Sequence, residues 1–379
     1  MAAAFSLARI PRITHGPGAV DRLGELAAPH ASARPVLLVA DPGLHRVGTI
    51  ARAEAALRAG GLEPVLFDDV RSDPTTAQTD RAAALARTCR AAAVVAIGGG
   101  SALDLGKAAA AIAPGEAPAA AYALCAMPLP ASPLAKICVP TTAGTGSETT
   151  RTAVLSDDGG VKLWLWGDGM KADEVLLDPE LSVSLPPHLT AATGIDALVH
   201  AIEAATNRNA FPANDLYAHE AIRQVGRWLP LAVAEPENLE ARSGMLLAAA
   251  LAGIAIDNAG TALAHNIGHA LASLVPIHHG RAVGIAMAAT LAWTSDVEDA
   301  GRCAAAEAAL GRAGALSEAF RHLACEVGLD LSLAIDLRPE RLAAQMARPE
   351  NAPMRLSTRR TVRDEDLLPL ARTVLGGQG

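Results

Sequence analysis

Two five-residue stretches, Val36–Ala40 (VLLVA) and Ala93–Ile97 (AVVAI), are apolar at every position. A strand with water on one face alternates apolar and polar side chains, so these two read as strands covered on both faces. Covering layers are therefore required, and the residues between the strands supply them. Helix-compatible runs fill Gly48–Ala59, Thr79–Cys89 and Ser101–Ala113, the first stopped by Gly60-Gly61 and the last by Pro114-Gly115. Further strands are expected at Glu63–Phe67 and Ile137–Val139. Strands alternating with helices of this length imply βαβ units and a parallel, Rossmann-like sheet.

Beyond Asp178-Pro179 and Leu185-Pro186-Pro187 the pattern changes. The apolar spacing becomes helical nearly to the end, with turns expected at Pro212, Pro230, Glu235-Pro236 and Pro276. Arg348–Asp364 reads as a loop before a last short helix. A chain of 379 residues is long for one core. Two domains are expected: an α/β domain over residues 1–180 and an all-α domain over 181–379. No internal repeat is found.

Hydrophobic residues make up 51% and charged residues 19%, which fits a folded globular chain and not a disordered one. Net charge is −8 with no long Lys/Arg block, so neither nucleic acid nor an anionic membrane is an expected partner. The five cysteines (Cys89, Cys125, Cys138, Cys303, Cys325) are scattered and never in CxxC spacing. That pattern suits a reducing compartment, with no disulfide frame and no cysteine metal site. In MAAAFSLARIPRITHG the arginines Arg9 and Arg12 follow the short apolar run, the reverse of a signal peptide. The most apolar later segment, Met245–Ile256, is read as a twelve-residue core helix, too short for a membrane span. The expectation is a soluble cytoplasmic protein.

The strand Ala93–Ile97 runs into Gly98-Gly99-Gly100-Ser101, with Asp104 and Lys107 one and two turns into the following helix. Glycines at a strand–helix turn let backbone N–H groups approach a pyrophosphate, and the helix N-terminus adds a favourable field. Ser101 is placed to cap that helix. Taken alone, such a turn is more often only a tight turn, and it is not the GxGxxG fingerprint. A second loop, Pro140-Thr141-Thr142-Ala143-Gly144-Thr145-Gly146-Ser147-Glu148, also follows a strand and is dense in hydroxyls and glycines. It lacks the Lys-Ser/Thr ending of a P-loop, which excludes the NTPase reading. Two such loops at one edge of a parallel sheet suit a dinucleotide. Asp41 ends an earlier strand, where a carboxylate accepts hydrogen bonds from ribose hydroxyls and repels a 2′-phosphate, favouring NAD over NADP. Its other reading is an Asp-Pro-Gly turn.

Four of the eleven histidines lie within Ala264–Gly280, AHNIGHALASLVPIHHG. His265 and His269 are four apart and share a helix side, whereas His278-His279-Gly280 follows the Pro276 break and reads as a turn. Upstream, Asp196 and His200 form another i, i+4 pair among apolar residues. Any one of these histidines is more often a hydrogen-bonded core or surface residue than a ligand. Together, Asp196, His200, His265 and His279 offer one carboxylate and three imidazoles, a set suited to Zn²⁺ or Fe²⁺. His278 is a further candidate by proximity, its alternative being a solvated turn residue. HNIGH looks like the HExxH of zinc peptidases, but Asn266 stands where the base would be. His269 is the spare imidazole, suited to proton relay.

GGGSALDLGK, PTTAGTGSE, DPELSVSLPPHLTAATGIDALVHAIEA and NAGTALAHNIGHALASLVPIHHG resemble, in the same order, motifs of the iron-containing (group III) alcohol dehydrogenase family. The likeness runs over essentially the whole chain. It implies the dehydroquinate synthase-like fold of that family: an N-terminal dinucleotide-binding domain, a helical C-terminal domain, and a divalent metal in the cleft between them. It implies metal ligation by Asp196, His200, His265 and His279, with His269 close to the reacting carbon. It implies cofactor contacts from Asp41, Gly98, Gly99, Gly100, Ser101, Thr141, Thr142, Thr145 and Lys162, and Asp104 is counted with them. Homodimers or larger assemblies are expected by analogy. Three departures stand out. The ligand turn is Ile277-His278-His279-Gly280 in place of Ile-Pro-His-Gly. Ser72-Asp73-Pro74 replaces Pro-Asn-Pro and puts a carboxylate near the expected adenosine edge. Lys162–Met170, KLWLWGDGM, carries two tryptophans and aligns less closely than the loops.

The expected function is a metal-dependent, NAD(P)-linked oxidoreductase interconverting a small alcohol and its aldehyde or ketone by hydride transfer. A glycerol- or polyol-type dehydrogenase of the same fold is the nearest alternative. A metal-assisted hydrolase, which needs no nicotinamide, and a cofactor-binding protein without catalysis come from other classes.

Overall fold

The structure is a computed structural model describing residues 4–31, 34–297 and 301–376. Residue contacts divide it into two compact units. One contains Ile10–Thr142 and Gly146–Leu185; the other contains Pro186–Gly379 together with the residues up to Arg9 and the tripeptide Ala143–Thr145.

The α/β unit holds eight strands: β1 Arg12–His15, β2 Val36–Ala40, β3 Pro64–Phe67, β4 Ala93–Gly98, β5 Ala135–Pro140, β6 Thr152–Ser156, β7 Lys162–Trp166 and β8 Glu174–Leu177. Six of them form one sheet in the order β1-β8-β5-β4-β2-β3, with every pairing parallel. β6 and β7 make a separate antiparallel hairpin. Helices α1 Leu23–Ala31, α2 Thr49–Ala59, α3 Thr76–Thr88, α4 Gly100–Ile112 and the single turn α5 Ala119–Tyr122 complete the unit. The two-sided burial expected of VLLVA is realised. Val36, Leu38 and Ala40 join a core with Leu23, Ile50 and Leu57 of α1 and α2, while Leu37 and Val39 join another with Ala82, Ala86 and Leu105 of α3 and α4. Alternate residues of one strand therefore serve opposite layers.

The other unit is helical: α6 Pro187–Thr206, α7 Pro212–Ala234, α8 Leu239–Ala259, α9 Leu263–Ala272, α10 His279–Ser295, α11 Gly301–Leu310, α12 Leu316–Glu326, α13 Pro339–Met346, α14 Ala352–Ser357 and α15 Asp364–Gly376. Three expectations change. Pro230 does not make a turn but lies inside α7, near its C-terminal end. α8 has 21 residues, nearly twice the length expected for Met245–Ile256. It is long and apolar enough to cross a membrane, yet Leu246, Ala248, Ala250, Ala252 and Ile254 are buried in this unit. Arg348–Asp364 is not a plain loop, because α14 lies within it.

Candidate metal centre and cofactor loops

α6 carries Asp196, His200 and Glu203 at i, i+4 and i+7, a spacing that keeps all three on one helical face. α9 supplies His265 and His269, and α10 opens at His279. His279 is thus a helical residue, not a turn residue, with His278 as the N-cap. Gly280 allows that start to press on α6: a Cβ there would lie 2.2 Å from the Ala192 carbonyl oxygen and 3.3 Å from the Asp196 Cβ. Only glycine lets the two backbones approach so closely.

Ligand atoms of Asp196, His265 and His279 all lie within 4.8 Å of one another. Asp196 Oδ1 is 3.6 Å from His265 Nε2 and 3.7 Å from His279 Nε2. His200 Nδ1 is 3.7 Å from the same oxygen, and its ring stacks on His265 at 4.3 Å between centroids. The His269 ring is 6.2 Å from His265 and 5.3 Å from His279. His200 falls outside the close group of three, and so does His278, which is exposed.

Three atoms of the cluster, Asp196 Oδ1, His200 Nδ1 and His265 Nε2, are buried without a hydrogen-bond partner. A buried polar atom left unpaired costs about 1–3 kcal/mol, so three converging on one spot call for a shared partner. One anionic oxygen and up to three imidazole nitrogens form a donor set that fits a divalent cation such as Zn²⁺ or Fe²⁺. The electrostatics of Asp196 and His200 suit a cation, whereas His265 has to release a proton to bind one. Burial pushes the Asp196 carboxyl up, but His200, His279 and His265 outweigh it and hold it well below the usual carboxylate range. Burial pushes His200 down to about 4, against the pull of Asp196. It also acts against the His265 imidazolium, yet Glu203 and Asp196 prevail and raise that group to about 9.

Sequence reasoning assigned no role to two residues here. The Glu203 carboxylate is buried against His265, with Oε2 2.7 Å from Nδ1. Its i+7 spacing from Asp196, on the face that also carries His200, was the available signal. Asn266 turns away from the cluster and donates its amide to the carbonyls of Met346 (3.0 Å) and Asn351 (2.9 Å).

In the α/β unit the two glycine loops meet, since the Thr141 N–H donates to the Gly98 carbonyl at 2.9 Å. Gly98 has φ +146°, and a Cβ there would sit 2.8 Å from that of Ala102. Because the chain turns at Gly98, the helix begins one residue earlier than expected. Its N-cap is Gly99, which has no side chain to offer, and Ser101 lies in the first turn instead of capping it. Asp41 accepts from the Gly43 N–H at 2.7 Å, which makes it the N-cap of the Asp-Pro-Gly turn. Thr142 is half-buried beside Gly99, while Thr145 groups with the helical unit.

Asp104 accepts from Ser147 Oγ (2.5 Å) and from the Val154 N–H (2.9 Å), tying the second loop to α4. Lys107 was placed on this helix by the sequence but given no task. Its buried Nζ donates to the carbonyls of Ser147 (2.7 Å) and Thr152 (2.6 Å) and to the carbonyl and hydroxyl oxygens of Thr150, both at 3.3 Å. Lys162 is ion-paired with Asp73, whose φ is +58°. The carboxylate of the Ser72-Asp73-Pro74 departure therefore faces a lysine expected to meet the cofactor.

Comparison with known proteins identifies the family. Residues 11–179 match the iron-containing alcohol dehydrogenase family, and residues 190–370 match the C-terminal part of the same family. A choline dehydrogenase of Bacillus subtilis is 38% identical, the match covering 73% of this chain and 69% of that protein. A long-chain-alcohol dehydrogenase of Geobacillus thermodenitrificans is 40% identical over 73% of this chain and 71% of its own. The structure of a sulfoacetaldehyde reductase from Bifidobacterium kashiwanohense in complex with NAD+ superposes with a TM-score of 0.90 and 28% identity, covering both chains completely. With both stretches matched and relatives at this level of identity, the chain belongs to the iron-containing alcohol dehydrogenase family.

Proposed function

We propose that Asp196, His200, His265 and His279 hold the divalent metal of this NAD-linked alcohol dehydrogenase, and that His269 is its proton-handling residue. The observation that carries the reading is the close group of Asp196, His265 and His279, in which Asp196 Oδ1 and His265 Nε2 are buried without a partner, with His200 Nδ1 3.7 Å from Asp196 Oδ1. A cation held there would supply Lewis acidity toward the substrate oxygen, and a bound nicotinamide would supply the hydride acceptor or donor. The chain's own residues do the rest. Asp196 and the imidazoles fix where that oxygen sits. His269 is near enough to His279 for a ring nitrogen to take the alcohol proton or give it back. Gly98–Ser101, Thr141 and Thr142 offer backbone and hydroxyl donors to the cofactor phosphates, with Thr145 and Lys162 contributing further contacts. Asp104 acts through Ser147, holding the second loop in place. Asp41 is assigned to the adenosine ribose, where its carboxylate favours NAD over NADP.

The relatives described above are named for choline, long-chain alcohols and sulfoacetaldehyde. Their common reacting group is a primary alcohol or its aldehyde, and we assign the same group to this protein. The hydrolase alternative is not favoured, since Asn266 is engaged with Met346 and Asn351 and supplies no base, and the family match does not favour the polyol alternative. We also place the enzyme in the cytoplasm as a homodimer or larger assembly, which sedimentation velocity checks directly.

The test is an NADH-linked screen of primary and secondary alcohols, diols and their carbonyl forms with added Fe²⁺ or Zn²⁺. Turnover confined to primary alcohols and aldehydes, and dependent on metal, is expected. Full turnover by metal-free protein, or a preference for ketones, would overturn the reading.

A further inference from the structure

We infer that Glu203 is a positioning residue for the metal centre: it grips His265 by the Nδ1 edge of the ring, so that Nε2 points to the spot shared with Asp196 and His279. The inference rests on the metal reading above and goes beyond it, because Glu203 touches none of the proposed ligand atoms.

The geometry is specific. Glu203 is buried on α6, seven residues after Asp196 and on its face. Its Oε2 lies 2.7 Å from His265 Nδ1 and also accepts the Ala262 N–H at 2.6 Å. Its Oε1 accepts the N–H groups of Ala264 at 2.6 Å and of His265 at 3.4 Å. These are the leading amides of α9, whose N-cap, Ala262, offers no side-chain acceptor. One carboxylate therefore caps the helix and holds the ring that the helix carries.

Chemistry makes the acid necessary. An ionised carboxylate only accepts hydrogen bonds, so the His265 nitrogen facing it has to be N–H. In the neutral ring that leaves the lone pair on Nε2, the atom found buried without a partner 3.6 Å from Asp196 Oδ1. A carboxylate behind a histidine ligand fixes both tautomer and ring orientation. An amide at position 203 can present its NH₂ to Nδ1, which would favour the opposite tautomer.

The experiment is a Co²⁺ titration followed by visible absorption, comparing the wild type with Glu203→Gln. We expect the variant to keep its far-UV circular dichroism and to bind Co²⁺ about 10- to 100-fold more weakly. A variant that loses stability but keeps Co²⁺ affinity within twofold would make Glu203 a helix cap only and overturn the assignment. A second measurement needs no variant. In Zn²⁺-loaded wild-type protein labelled with ¹⁵N-histidine, long-range ¹H–¹⁵N spectra should show His265 protonated at Nδ1, and protonation at Nε2 would overturn the assignment. Wild-type protein that takes up no Co²⁺ would instead sink the metal reading itself, which separates the two failures.

Discussion

Each unit buries a cluster of ionisable side chains, and the two are finished differently. In the α/β unit, Lys107 is fully buried and donates to three backbone carbonyls, while Asp104 accepts from Ser147 and Val154. In the helical unit, Asp196, His200 and His265 are as deeply buried, yet each keeps an atom without a partner. A satisfied polar network rigidifies the fold, whereas an incomplete one stores binding capacity. The contrast sets a satisfied scaffold beside the proposed metal site without reference to any relative.

The strongest way to break this contrast is to remove a proposed ligand. Asp196→Ala or His265→Ala should lower kcat/KM by at least about 10⁴-fold, more than about 5 kcal/mol of transition-state stabilisation. Metal content measured on the same samples should fall with it. A variant that retained stoichiometric metal would dissolve the distinction.

The reverse outcome is expected in the scaffold cluster. Lys107→Met strands three carbonyls and the Asp104 carboxylate, and should cost about 4 kcal/mol of stability in urea unfolding. Metal uptake should be unaffected. Wild-type stability in that variant would mean that the network under the cofactor loop is dispensable.

A subtler probe is Glu148, which follows Ser147 in the loop that Lys107 holds. Burial, opposed by Lys107 and aided by Asp104, pushes its carboxyl up to about 7 from an ordinary 4.5. The folded protein thus keeps a proton here that the unfolded chain releases. Stability from this group is complete below pH 4.5 and lost as pH rises towards 7, about 3 kcal/mol in all. Glu148→Gln should flatten that slope in unfolding curves recorded across the window; an unchanged slope would refute the assignment. The smallest effect belongs to the exposed side of the Asp73–Lys162 pair. Asp73→Asn should change unfolding free energy by less than about 1 kcal/mol, and a larger change would show the pair to be structural.

β2 and β4 were legible because their runs are apolar throughout, and β5 through Ile137–Val139 despite Lys136. β1 and β8 were not, since Arg12, Thr14 and Glu174 interrupt any apolar run, and only pairing in the sheet defines them. The hairpin β6–β7 was missed for the same reason: Thr152, Lys162 and Trp166 face outward or only partly inward. The histidine spacing pointed to the helices that carry the ligand cluster. It was silent on Glu203, because a single glutamate in a helix is ordinary until another helix presents its amides to it. Nor could spacing reveal that Ala143–Thr145 leaves the α/β unit to join the helical one.

Gly280 has a consequence for how this protein can diversify. The distance between His279 and Asp196 is gauged by main chain resting on main chain, at a spot where even a methyl group has no room. Residues elsewhere can then be exchanged for larger, smaller or charged ones while the spacing of these two proposed ligands stays in calibration. An anchor of this kind leaves position 280 itself with almost no freedom to drift.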